Sequence, residues 1–367
     1  MSKIFTVLII CFLIGCISTR FMNKTSEANM DIYSPEKIIE LMKKVCDYQI
    51  VNPSHHYSKN KDFPNGWVPA SFYTGVMATY YTTKDNKYLD QALKWAEENN
   101  WQPGPRLRVA DDHCCGQTYL ELYMIKKDPK MITPIKATFD SIMANPKPGR
   151  EDWWWCDALF MGPPTLARLG AATGKKKYFN FMHEMYWDTA QLLFSKEDGF
   201  FYRDQRYFYR RTKHGNKVFW SRGNGWVMAG IARLLPRLPK KDSYRDWYVH
   251  LLKTMAMSVI KLQGEDGLWR SSLLDPGEFP APETSGSGFF CYAITWGINN
   301  GLLDRDAYLP AVKKAWKGLV KAVHPNGKIG WVQAIGRNPD VVSYDDTHAY
   351  GAGAFLLAGS ELIKLFE

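Results

Sequence analysis

The chain has 367 residues, 46% of them apolar and 23% charged, so it can bury a large core and wholesale disorder is excluded. Its 47 Lys and Arg against 37 Asp and Glu leave a net charge of +10, but no run of five basic residues marks a nucleic-acid surface. That balance suits an acidic small molecule or glycan, and 14 Trp with 20 Tyr supply ring faces for stacking sugars.

At the N-terminus Lys3 precedes an apolar run from Ile4 to Ile14. The run is too short to span a bilayer, which takes about 20 residues, but it fits the hydrophobic region of an export signal. It closes on Leu13-Ile14-Gly15-Cys16, which resembles a bacterial lipobox. This predicts a signal peptide over residues 1–15, Cys16 as the lipid-modified first residue of the mature protein, and a polar tether over 16–33. The alternative is an ordinary cleaved signal in which Cys16 is incidental. The lipobox reading makes the protein a periplasmic or cell-surface lipoprotein that meets a membrane only through its lipid. Five further cysteines, at 46, 114, 115, 156 and 291, match neither a disulfide framework nor a zinc pattern.

From residue 34 one pattern repeats. Amphipathic stretches at 35–48, 87–99, 132–145, 176–194, 244–263 and 305–323 alternate with apolar ones at 66–81, 111–123, 156–170, 220–235, 283–297 and 345–362. The apolar set mixes small residues with aromatics. In the amphipathic set Leu251, Met255, Ser258, Val259 and Leu262 mark one helical face. Packing the apolar six inside and wrapping them with the other six gives an all-α, single-domain (α/α)6 barrel over 34–367. Asp198-Gly199, Asp266-Gly267 and Asn326-Gly327 predict turns, each followed by a short extended segment along one rim. The mouth of such a barrel is a natural glycan cleft.

Carboxylates that open the inner helices face that mouth: Asp111-Asp112-His113, Asp157, and Asp345-Asp346-Thr347-His348. A carboxylate at a helix start is more often a cap than a catalyst. Asp157 is the better candidate. It follows Trp153-Trp154-Trp155, and an apolar environment raises a carboxyl pKa toward that of a proton donor at neutral pH. Three consecutive indoles cannot all face inward, so at least one lines a surface or cleft. Met161-Gly162-Pro163-Pro164 beyond it is awkward inside a helix. In Trp220-Ser221-Arg222-Gly223-Asn224-Gly225-Trp226 an arginine fork between two indoles suits a sugar carboxylate. Trp67 and His348, at the first and last apolar stretches, complete the candidate substrate contacts.

The segments 110–123, 155–164, 220–226 and 351–361 resemble the unsaturated rhamnogalacturonyl hydrolases of glycoside hydrolase family 105, over residues 34 to 367. The resemblance implies an (α/α)6 barrel acting on oligosaccharides released by polysaccharide lyases, which end in a 4,5-unsaturated uronic acid. It implies hydration of the C4=C5 bond, with Asp157 as general acid and Asp112 as the second essential carboxylate. Trp220, Arg222 and Trp226 match the subsite for the unsaturated sugar. No metal or organic cofactor is implied. The pattern departs at Arg203, where several members carry His. Arg203 either meets a carboxylate or sulfate of the substrate or forms a structural ion pair with Asp204. Two readings of other classes stand beside this one: an aldose epimerase, which needs paired cavity histidines such as His113 and His348, and a non-catalytic glycan-binding lipoprotein, which needs no Asp157.

Overall fold

The computed structural model describes residues 31–53 and 63–367. The expected signal peptide and Cys16 lie outside the described residues, as does the tether up to residue 30.

Among the described residues, twelve main helices alternate between an outer and an inner ring. In chain order they are α1 (Pro35–Val51), α2 (Trp67–Thr83), α3 (Asn86–Glu98), α4 (Gly116–Lys126), α5 (Thr133–Ala144) and α6 (Pro163–Thr173), followed by α7 (Lys176–Leu193), α8 (Ser221–Leu234), α9 (Arg245–Val259), α10 (Thr284–Asn299), α11 (Arg305–Lys321) and α12 (Ala349–Phe366). The even-numbered helices touch in sequence, α2 to α4 and onward to α12, and α12 packs back on α2, closing the ring. The odd-numbered helices lie outside. This is the (α/α)6 barrel.

The composition of each set follows from its place. Outer α3 buries only Tyr88, Leu89, Ala92, Trp95 and Ala96. Inner α12 is buried nearly throughout. It is apolar and long enough to cross a membrane on length and composition alone, yet 89% of that stretch is buried inside the protein. Small residues let the inner helices approach: a Cβ on Gly353 of α12 would lie 2.6 Å from the carbonyl oxygen of Ser71 on α2.

Three inner helices start later than their apolar stretches suggest, α12 among them at Ala349. Residues 110–113 form a short 3-10 turn before α4, and Ala158–Met161 form a separate helical turn before α6. Pro163 and Pro164 are therefore the first residues of α6, where a missing N–H costs nothing. The tether also ends earlier than expected, because the indole of Trp316 donates to Ile32 O at 2.9 Å and Tyr33 Oη donates to Lys313 O at 3.0 Å.

The three Asx-Gly turns form with positive φ at Gly199, Gly267 and Gly327. After the first, Phe194–Ser195 pairs antiparallel with Phe200–Phe201. Each turn leans on the next outer helix. A Cβ would meet Ser258 of α9 at Gly199, Lys314 of α11 at Gly267, and Lys44 of α1 at Gly327.

All inner helices run the same way, so their C-termini gather at one end around a cavity of about 780 Å³. Glu121 of α4 is buried there and accepts from Arg168 of α6 at 2.6 Å and from Arg233 of α8 at 3.0 Å. Arg233 also donates to Gln117 Oε1 at 2.6 Å. The two guanidinium groups hold the Glu121 carboxyl below its usual range against the opposing effect of burial. Glu121→Gln keeps the volume and removes the charge, leaving two buried arginines uncompensated. The expected loss is about 3–5 kcal/mol of stability, read as a lowered urea midpoint with an unchanged slope.

Candidate active site

The opposite end gathers the inner-helix N-termini around a cleft of about 750 Å³. Trp67, Asp111, Trp154, Asp157, Arg203 and Trp220 line it, with Ile335, Gly336 and Arg337 from the loop before α12. Five cationic side chains, Arg106, Arg108, Lys147, Arg203 and Arg337, face four carboxylates, Asp111, Glu151, Asp152 and Asp157.

Asp157 sits just before the Ala158–Met161 turn, which Cys156 N ties to Arg203 O at 2.8 Å. Burial raises its pKa, while the charges of Arg203 and Arg222 pull the other way. Arg203 Nε lies 3.6 Å from Asp157 Oδ2, and Arg203 NH1 is 2.7 Å from Asp204. Arg203 thus has the structural ion pair and a place in the cleft as well. Of the three indoles, Trp153 and Trp155 are 1% and 5% exposed, and Trp154 is 40% exposed over the cleft. The guanidinium groups of Arg203 and Arg206 stand 5.1 and 5.4 Å from the Trp154 ring centre.

The neighbouring carboxylates divide their roles. Asp112, expected as the second catalytic carboxylate, is wholly buried and does not line the cleft. Its oxygens accept from Arg106 N at 2.7 Å and from the Arg106 guanidinium, so it braces the loop that carries Arg106. Asp111 lines the cleft instead. Burial and the charge of Asp157 push its pKa up to about 7, against the pull of Arg106. Two coupled carboxyls with raised pKa values therefore share the cleft.

Arg222 is placed differently from the expectation. It is 1% exposed and forms no part of the cleft lining. Its NH1 donates to Gln333 O at 2.7 Å and its NH2 to Ala334 O at 2.8 Å, and its guanidinium lies between the rings of Trp220 and Tyr350. Its fork grips the backbone of the loop rather than an open subsite. Trp220 does line the cleft, and its Nε1 donates to Gln333 Oε1 at 2.8 Å. Trp226, one turn deeper in α8, packs on Phe160 and Phe289 in the core and does not reach the cleft. Trp67 is half-buried in the wall, stacked on Tyr350.

His348 also stacks on Tyr350, at 5.2 Å between ring centres, and stays out of the lining. His113 is buried on Leu107 O at 2.8 Å. The paired histidines that an epimerase needs are thus missing from the cleft among the described residues. Nor do three His, Cys, Asp or Glu side chains converge as metal ligands among those residues.

Sequence reading missed Arg106, Arg108 and Arg337, and it left open which of the three indoles, here Trp154, is the exposed one. The only signal for the three arginines is position beside a motif, since the loops that carry them have no periodicity. Asp111 was within the quoted motif, but the choice between adjacent aspartates depends on which way a 3-10 turn faces.

The sequence model of Glycosyl Hydrolase Family 88 matches residues 41–366. A protein of Formosa agariphila named unsaturated 3S-rhamnoglycuronyl hydrolase is 42% identical over 323 residues, covering 83% of this chain and 86% of its own length. Two solved structures share the fold at TM-score 0.84. One, a family 88 glycosyl hydrolase from Bacteroides vulgatus, is 33% identical and covers 91% of this chain and all of its own. The other, named a polysaccharide lyase, is 34% identical and covers 90% of this chain and 98% of its own. The extent of the match, the closed twelve-helix barrel and the carboxylate-bearing cleft agree: the chain belongs to glycosyl hydrolase family 88.

Proposed function

We propose that the chain is a glycoside hydrolase that removes a terminal 4,5-unsaturated uronic acid from a lyase-generated oligosaccharide, with a 3-sulfated rhamnose beside that uronate. The observation that carries the chemistry is the Asp111–Asp157 pair, two cleft carboxyls whose pKa values are both raised. The sugar next to the uronate is taken from the name of the Formosa relative.

The pair holds a proton near neutral pH, and Asp157 delivers it to C4 of the enol ether. Water adds its oxygen at C5, the carboxylate pair taking up the proton it releases. The resulting hemiketal opens, and the open form releases the remaining oligosaccharide with its hydroxyl restored. One water is consumed and no cofactor takes part. Asp111, at the cleft surface, replaces Asp112 as the second carboxylate. Arg203, which lines the cleft beside Asp157, receives the uronate carboxylate. Trp154 and Trp220 offer ring faces to the sugars.

Disappearance of the C4=C5 ultraviolet absorbance on mixing with a sulfated unsaturated disaccharide tests the reading. A lyase, the activity that one structural relative's name suggests, would raise that absorbance on intact polysaccharide. Asp157→Asn cannot deliver a proton and should lose at least about a hundredfold in turnover while folding normally. The active pair must be protonated, so activity falls as pH rises through its raised pKa. Asp111→Asn removes the neighbouring negative charge and should move this alkaline limb to lower pH. Arg203→Gln removes a charge that favours the carboxylate and should move it to higher pH. Limbs that stay in place in both variants would detach the pair from the reaction.

Arg222→Lys retains charge but loses the fork that holds two carbonyls. It should cost about tenfold to several-hundredfold in kcat/KM by loosening the loop, as expected for charge-assisted bonds of about 1.5–3 kcal/mol. Unaltered kinetics would show that the loop needs no such brace.

The protein is proposed to be exported and anchored through Cys16, on the strength of Leu13-Ile14-Gly15-Cys16 after the short apolar run. Metabolic labelling with a fatty-acid probe should mark the wild type and spare Cys16→Ala. Equal labelling of both would end the anchor reading.

A further inference from the structure

Among the cationic residues of the cleft, four are already engaged. Arg106 is held by Asp112. Arg108 pairs with Asp152 at 3.3 Å and donates to Asn145 O. Arg203 is held by Asp204 at 2.7 Å, and Lys147 lies 3.8 Å from Glu151. Arg337 is exposed in the same cleft, and no hydrogen bond or ion pair joins it to any other described residue.

The backbone beneath Arg337 is held firmly. Gln333 O accepts from Arg222 NH1 at 2.7 Å and from Tyr350 Oη at 2.5 Å, and Ala334 O accepts from Arg222 NH2 at 2.8 Å. The Gln333 side chain accepts from the Trp220 indole and donates to Asn338 O, each at 2.8 Å, so it spans the turn that carries Arg337. Gln333 N points to Glu283 Oε1 at 3.3 Å. A fully buried arginine is expensive to desolvate, and here its donors hold a loop whose exposed product is one uncommitted guanidinium. Such a group, fixed at its base and free at its tip, is preorganised to receive an anion.

The uronate carboxylate already has Arg203, beside the reacting carboxyls. Arg337 therefore implies a second negative group on the substrate. Resting on the hydrolase reading above, we propose that Arg337 is a specificity-determining residue that binds a sulfate ester on the sugar adjoining the unsaturated uronate. Its fork matches two sulfate oxygens, and the rigid loop sets the distance between that sulfate and the reacting bond. It binds the part of the substrate that leaves, so it governs recognition and has no part in moving the proton.

The test compares two disaccharides with the same unsaturated uronate, one joined to rhamnose 3-sulfate and one chemically desulfated, using the full chain. The wild type should favour the sulfated sugar. Arg337→Gln should raise KM for that sugar about tenfold to a hundredfold, hold kcat within about twofold, and change KM for the desulfated sugar by a clearly smaller factor. Arg337→Lys should recover part of the loss, since charge remains without the fork. A wild type without preference, or an Arg337→Gln change that is absent or equal on both sugars, overturns the assignment. A wild type that consumes neither double bond defeats the hydrolase reading itself, and this is seen before any Arg337 variant is made.

Discussion

Every inner helix is returned to its starting end by an outer one, so six helices run parallel around one axis. Their partial positive ends collect at the cleft and their negative ends at the opposite cavity. The two ends are furnished accordingly. At the C-terminal end Arg168 and Arg233 lie buried with Glu121, where cations offset the converging carbonyls. That explains why the cavity at that end carries charged groups that mostly satisfy one another. At the N-terminal end the same field favours anions, which suits an acidic glycan. It also works against protonated carboxyls. The raised pKa values of Asp111 and Asp157 therefore depend on burial being strong enough to oppose it, helped at Asp111 by the charge of Asp157.

The cleft floor is built from groups that never touch solvent. Glu283, fully buried, caps α10 through Ser285 N at 3.0 Å and Gly286 N at 2.7 Å. It also meets Gln333 N, and Arg222 and Tyr350 close on the neighbouring carbonyls. Three inner helices, α8, α10 and α12, thus share one irregular loop. A buried arginine and a buried glutamate in this layer satisfy backbone groups that an apolar floor would leave unpaired. On the other side Asp112 does the same for Arg106 and the loop before α4. The cleft carboxyls Asp111 and Asp157 stand between these two braces.

The barrel was legible because alternation of apolar and amphipathic stretches is a long-range pattern that single residues cannot spoil. The Asx-Gly turns were legible for a local reason, the positive φ that glycine tolerates. A cleft position and a raised pKa for Asp157 were legible from its indole neighbours. What the residues could not reveal is which member of a motif faces which way. Asp111 and Asp112 are chemically identical and adjacent, and only the 3-10 turn separates a cleft carboxyl from a brace. Arg222 and Trp226 lie in one helix with a binding-site composition, yet a loop more than a hundred residues onward covers the first and the core absorbs the second. Arg337 lay outside every motif, on a segment whose position is dictated by partners distant in sequence.

The ring of Asx-Gly turns has a further consequence, for the order in which the molecule can assemble. Gly327 rests on Lys44 of α1, Trp316 holds Ile32 across 284 residues, and α12 packs on both α1 and α2. Among the described residues, the first helix to be synthesised is therefore the last to gain its full set of neighbours. Its buried face, with Ile38, Leu41, Met42 and Val45, waits for residues near the C-terminus. Contacts this distant make closure of the seam slow relative to pairing of adjacent helices. Until then a partly built barrel presents two open apolar flanks to other nascent copies. The joint between the first and last helices is thus the place where synthesis, folding and self-association compete.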